Sequence, residues 1–138
     1  MVQVLILSHG ALAAALVETA ERIVGELADV QALSLDWEEP REALLSRLAQ
    51  VIASLDQGDG VLVLTDLFGD TPSNLALGLI DSGRVEVVTG VNLPMVLRLA
   101  CKGTRPQTLG ELATWIQAKG RQGIRVGMAL EPTLAERV

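Results

Sequence analysis

The sequence contains one histidine, His9, and it closes the first hydrophobic run, Val2-Gln3-Val4-Leu5-Ile6-Leu7-Ser8, immediately before Gly10. Imidazole has an unperturbed pKa of about 6.5, so a histidine at the carboxyl end of a strand is suited to act as base or nucleophile. A second run, Val61-Leu62-Val63-Leu64-Thr65, ends in the same way at Asp66 and continues into Leu67-Phe68-Gly69-Asp70-Thr71-Pro72-Ser73-Asn74. If the fold brings these two ends together, the carboxylate accepts a hydrogen bond from one ring nitrogen and fixes the tautomer. The other nitrogen then keeps its lone pair as a nucleophile. Helices starting after Gly10 and at Thr71 would aim backbone N–H groups into the same crevice, as an anion site requires. That constellation suits phosphoryl transfer through histidine, carried by positioning and electrostatics and requiring no metal and no cofactor.

The elements that must position these groups follow from hydrophobic spacing. Leu12, Leu16, Ala20, Ile23 and Leu27 recur at helical intervals, with Glu18, Glu21, Arg22 and Glu26 on the other side, and predict a first helix. Residues 30–35 read as a second strand, less apolar than the first and therefore at an edge. After a turn over 36–40, Leu44, Leu48, Val51, Ile52 and Leu55 mark a second helix, which the Asp56-Gln57-Gly58-Asp59-Gly60 cluster breaks before the third strand. Thr71 reads as an N-cap with Pro72 at the first helical position, and the apolar body at 75–80 predicts a buried third helix. A fourth strand is expected over 85–89 and a short helix over 95–100. Thr108 and Glu111 form a capping-box pattern that opens a last helix to about residue 119. Residues 124–130 then alternate large apolar residues with smaller or charged ones, as a half-buried strand does.

Composition agrees with a parallel sheet covered by helices. The 138 residues suit one domain over 1–138; 49% are hydrophobic, yet Trp37, Phe68 and Trp115 are the only aromatics, so the core must be aliphatic. The two tryptophans are expected to serve packing. A net charge of −6 without a basic tract argues against nucleic acid as partner. The lone Cys101 excludes an intrachain disulfide, fits a reducing compartment and reads as a small buried hydrophobe. No basic n-region precedes the first apolar run, and no uninterrupted apolar stretch approaches the roughly 20 residues of a membrane span. A cytoplasmic protein without membrane insertion is expected. Four βα units imply an open doubly wound α/β sheet of flavodoxin-like order 2134, in which strands one and three are neighbours and ligands bind at the switch point between them.

Three motifs in register over essentially the whole chain resemble the mannose-type IIA (EIIA) proteins of the bacterial phosphoenolpyruvate-dependent sugar phosphotransferase system (PTS). They are Ser8-His9-Gly10, the segment from Thr65 to Asn74 quoted above, and Thr89-Gly90-Val91-Asn92-Leu93-Pro94-Met95. The resemblance implies that His9 accepts a phosphoryl group from the phosphocarrier protein HPr and passes it to a IIB component, with Asp66 hydrogen-bonded to the non-reacting ring nitrogen. It further implies phosphoryl-binding roles for Ser8, Gly10 and Thr71, with Phe68, Gly69, Asp70 and Asn92 in the surrounding loops. It also implies a homodimer in which the C-terminal segment is an antiparallel strand swapped into the partner's sheet. Such a IIA unit could dock on a membrane-bound transporter complex.

Asp70 departs from the family pattern, which usually has a glycine there; its carboxylate either faces the phosphoryl group or serves an exposed turn. No linker or IIB domain is expected after the tail, and such a IIA unit suits either sugar uptake or a purely regulatory relay. The related phosphoryl-donor subunit of dihydroxyacetone kinase shares the strand-one histidine but diverges after strand three. A non-enzymatic ligand-binding or signalling module is the remaining alternative. A magnesium-dependent receiver domain is argued against, because residues 4–16 hold no acidic residue and Thr89-Gly90-Val91-Asn92 offers no lysine.

Overall fold

The two most apolar runs of the sequence form the centre of the sheet. In the computed structural model, which describes residues 1–36, 38–67, 69 and 71–129, β1 (Gln3–Leu7) and β3 (Val61–Thr65) are buried along their whole length. The flanking strands β2 (Val30–Leu33) and β4 (Val85–Thr89) are partly exposed. The order is β2-β1-β3-β4 and every pair is parallel, as expected for the doubly wound fold, with residues 30–33 at an edge. The helices are α1 (Leu12–Val24), α2 (Arg41–Leu55), α3 (Thr71–Leu77), α4 (Leu93–Arg98) and α5 (Leu109–Gln122).

Alternate strand residues feed two separate cores, because successive side chains of a strand point to opposite faces. Val4, Ile6, Leu62 and Leu64 meet Ala13, Val96, Leu112 and Ile116 of α1, α4 and α5 on one face. Leu5, Leu7, Val61 and Val63 meet Leu44, Leu48, Leu75 and Ala76 of α2 and α3 on the other. Each fully buried leucine or isoleucine contributes about 1.5–3 kcal/mol relative to exposure. Leu7 pairs with Thr65 and Thr65 with Thr89, so three strands end level and the segments after them leave the sheet at one end.

Several boundaries and faces differ from the sequence-based expectations. The inward stripe of α1 keeps the expected Ala20 and the partly buried Leu16 but adds Ala13, while Leu12 and Ile23 are exposed; small side chains let the helix lie close to the sheet. β2 ends at Leu33, although Leu35 is still buried. α3 stops at Leu77, and Ile80 beyond it is exposed rather than part of a buried helix. Thr108 stands at the N-cap of α5 and Glu111 in its first turn, but the Thr108 side chain makes no capping hydrogen bond; its carbonyl accepts from Leu112 N–H instead. Cys101 is exposed rather than buried, since it lies in a turn where its carbonyl receives the N–H groups of Thr104 and Arg105. Trp115 is half-buried against the first core, with Lys119 Nζ 5.7 Å from its ring centre. Trp37 lies outside the described residues.

A strand was expected over 124–130; among the described residues, 124–129 form none. Residues 124–126 are irregular, Gly127–Ala129 make a 3₁₀ turn, and Leu130 lies outside the described residues. A strand needs a sheet edge to pair with, and among the described residues β4 pairs only with β3 within the sheet.

The amino end of the sheet is held by polar contacts far apart in sequence. Arg105 and Asp29 form an ion pair with both side chains about 95% buried, and the guanidinium also donates to the Leu99 carbonyl at 3.1 Å and the Val2 carbonyl at 2.8 Å. Asp29 Oδ1 makes no hydrogen bond but faces Lys102 Nζ at 3.4 Å. Entry into β3 is set by Asp56, whose Oδ1 accepts from Gly58 N–H at 2.8 Å and Gly60 N–H at 3.0 Å. These two backbone hydrogen bonds, helped by Arg84, hold its carboxyl below the usual carboxylate range. Gly60 itself has φ +90°, and a Cβ there would sit 3.0 Å from the Gly83 and Arg84 carbonyls, so both backbone conformation and space require glycine.

Candidate functional site

At the carboxyl end of the sheet, the imidazole two residues past β1 meets the carboxylate just past β3. His9 Nδ1 lies 2.7 Å from Asp66 Oδ2. The same oxygen accepts from the His9 backbone N–H at 2.9 Å, and Oδ1 accepts from Leu67 N–H at 3.0 Å. Both carboxylate oxygens therefore face donors, and the pairing favours the imidazole tautomer with its proton on Nδ1 and its lone pair on Nε2. The His9 side chain is 51% exposed and that of Asp66 only 9%. A largely buried carboxylate thus orients an imidazole that presents itself at the surface.

The chain around His9 is fixed by its neighbours. Ser8 is 1% exposed; its hydroxyl donates to the His9 carbonyl at 3.1 Å and accepts from Ala13 N–H at 2.7 Å. Gly10 has φ +51°, and no atom lies within 4 Å of the position a Cβ would take. Its requirement for glycine is one of backbone conformation, not of space. Thr71 is the first residue of α3 and exposed, so it opens the helix from inside rather than capping it from outside. Gly69 N–H donates to Ser73 Oγ at 2.9 Å, a contact sequence reasoning missed although a buried serine four residues after a turn glycine is a recognisable signal. Phe68 and Asp70 lie outside the described residues.

Asn92 serves a different purpose. Its Oδ1 accepts from Met95 N–H at 3.1 Å, capping α4, and its Nδ2 donates to the Gly120 carbonyl at 3.0 Å, tying α4 to α5. The same loop is fastened to the site strand through Val91 N–H donating to the Thr65 carbonyl at 2.8 Å. Among the described residues, no group of three or more His, Cys, Asp or Glu side chains could hold a metal ion, and no helix is long and apolar enough to cross a membrane. A cavity of about 290 Å³ lined by Met1, Val2, Asp59, Lys102 and Arg105 lies at the other end of β1 from His9.

Residues 3–116 match the family model EIIA-man, described as PTS system fructose IIA component. The chain is 31% identical over 125 residues to the PTS system mannose-specific EIIAB component of Escherichia coli strain K12, covering 90% of this chain and 39% of that protein. It therefore spans well under half the length of that relative. It is 33% identical over 100 residues to the PTS system fructose-specific EIIA component of Bacillus subtilis, covering 72% of this chain and 68% of that one. Among solved structures, the mannose/sorbose specific IIA subunit of the phosphotransferase system from Enterococcus faecalis superposes with a TM-score of 0.81 at 28% identity, covering 94% of this chain and 97% of that one.

Proposed function

Because the chain belongs to the EIIA-man family of IIA components of the sugar phosphotransferase system, we propose that it is a phosphoryl carrier in which His9 accepts a phosphoryl group from phospho-HPr and hands it to a IIB partner, for sugar uptake or regulation. The observation that carries this reading is the 2.7 Å pairing of His9 Nδ1 with Asp66. In the accepting step the Nε2 lone pair forms a bond to phosphorus as the donor's bond to phosphorus breaks, while the proton stays on Nδ1 against the carboxylate. The step onward reverses those roles. Gly10 and Thr71 are proposed to contact the phosphoryl oxygens through backbone N–H groups and the Thr71 hydroxyl. The exposed imidazole, with the apolar side chains of Leu12 and Leu67 exposed next to the two site residues, suits a donor and an acceptor that are themselves proteins. A cytoplasmic location belongs to the same reading. The test is transfer of labelled phosphoryl from phosphoenolpyruvate through enzyme I and HPr to this chain; no label on the chain, with HPr fully charged, would overturn it.

Asp66→Asn should slow acceptance on the order of a hundredfold. An amide has one oxygen and one NH₂, whereas the Asp66 carboxylate faces donors with both oxygens. Whichever way the amide turns, one donor meets another, either at Leu67 N–H or at His9. Rapid-quench measurement of the accepting step checks this, and an unchanged rate would remove Asp66 from the site.

The reading includes a homodimer with exchanged C-terminal segments. Ile124, Val126 and Met128 are 77%, 71% and 97% exposed in the single chain, and β4 forms one edge of the sheet among the described residues. A partner's edge would cover one and pair the other. Deleting residues from 122 onward should convert a dimer into a monomer or an aggregate of lower stability, as read by sedimentation. A full-length monomer at micromolar concentration, or an oligomer indifferent to the deletion, would contradict the exchange.

A further inference from the structure

We infer that Ser8 is a positioning residue for the phosphoryl-accepting step, clamping the turn that aims His9, and is not a ligand of the phosphoryl group. The inference rests on the reading of His9 as acceptor. A hydroxyl has one hydrogen to donate and two lone pairs. In Ser8 that hydrogen goes to the His9 carbonyl at 3.1 Å, and a lone pair receives Ala13 N–H at 2.7 Å. At 1% exposure the hydroxyl is walled off from any group arriving at the surface.

The need for the clamp follows from the start of α1. Its N-cap is Ala11, which has no side-chain oxygen and makes no capping hydrogen bond. The second residue of the helix, Ala13, would then begin with an orphan N–H. Ser8 supplies the missing acceptor from three residues before the cap, so it does a cap's work across the His9-Gly10-Ala11 turn. The His9 carbonyl also receives Leu12 N–H at 3.4 Å, and the His9 N–H is held by Asp66 Oδ2 at 2.9 Å. Both peptide groups of His9 are thereby fixed, and its ring has only its own torsions left when Nδ1 meets Asp66. Without the Ser8 hydroxyl, the carbonyl side of that frame opens and the turn at Gly10 is freed to move the imidazole against the carboxylate.

Ser8→Ala should lower the rate of acceptance at saturating phospho-HPr about tenfold and leave the half-saturating concentration of phospho-HPr unchanged, since a buried hydroxyl touches no partner. Ring-nitrogen NMR shifts of unphosphorylated Ser8→Ala should show a mixture of His9 tautomers where the parent shows mainly the Nδ1–H form. Ser8→Thr, which restores the hydroxyl, should recover both readouts. A purely structural role would lower thermal stability without moving the tautomer ratio, and that outcome overturns the inference. So does a rise in half-saturation with an unchanged maximal rate, or failure of the threonine variant to recover a loss seen with alanine. Should Ser8→Ala not fold, Ser8→Cys, similar in size with a weak acceptor and donor, should show the same losses in smaller degree; parent-like rate and tautomer ratio in it would overturn the inference. The tautomer measurement needs no phosphoryl donor, so it decides the role of Ser8 even if the chain proves not to be charged by HPr.

Discussion

Replacing His9 with alanine is expected to abolish phosphoryl acceptance completely while leaving the unfolding midpoint almost unchanged. No other imidazole exists in the chain to substitute, and the His9 side chain is about half exposed, where truncation costs within about 0.5 kcal/mol. Asp66 keeps its two backbone donors, His9 N–H and Leu67 N–H, so the loop retains its anchors. Labelled phosphoryl transfer from phosphoenolpyruvate and a thermal melt on the same preparation check both halves. Label on the His9→Ala protein would place the acceptor elsewhere.

Arg105→Ala is expected to show the largest stability loss, about 3–5 kcal/mol, because it strands a buried carboxylate. Asp29 would be left with Lys102 at 3.4 Å, and the Leu99 and Val2 carbonyls would lose a charged donor. Against a typical total of about 5–15 kcal/mol, that is about a fifth of the stability or more. The Arg105→Met, Asp29→Leu double variant should recover most of it, since a buried pair replaced by apolar side chains of similar volume is often neutral. Urea unfolding of the three proteins tests this; an Arg105→Ala protein within 1 kcal/mol of the parent would contradict it. The ion pair sits at the opposite end of β1 from His9, so the double variant should accept phosphoryl groups normally.

The juxtaposition of His9 and Asp66 was legible because it depends only on strand order. The two most apolar runs must be central, strand order 2134 sets them side by side, and the imidazole and carboxylate shortly beyond them are carried to the same end. What local patterns missed involves partners distant in sequence or outside the usual windows. Asp29 and Arg105 are 76 positions apart, and nothing near either marks the other. Ser8 caps α1 from beyond the position where capping patterns are sought, with Ala11 at the N-cap itself. At Thr108 the opposite occurs, a favourable pattern whose side chain is not used. On α1 the spacing placed Ala20 correctly but favoured Leu12 and Ile23 over Ala13, because it weighs large apolar residues above alanine, while close approach to a sheet selects small side chains. The alternation at 124–130 signals a strand only when an edge is offered, and edges belong to assemblies as much as to single chains.

The central claim, that Asp66 holds Nδ1 so that Nε2 carries the phosphoryl group, is tested most directly by phosphorus–nitrogen coupling in NMR of the phosphorylated protein with nitrogen-labelled histidine. One coupled ring nitrogen is expected, and it should be Nε2, with Nδ1 still protonated. Coupling at Nδ1, or a phosphorylated protein with no phosphorus–nitrogen coupling at all, would contradict the account.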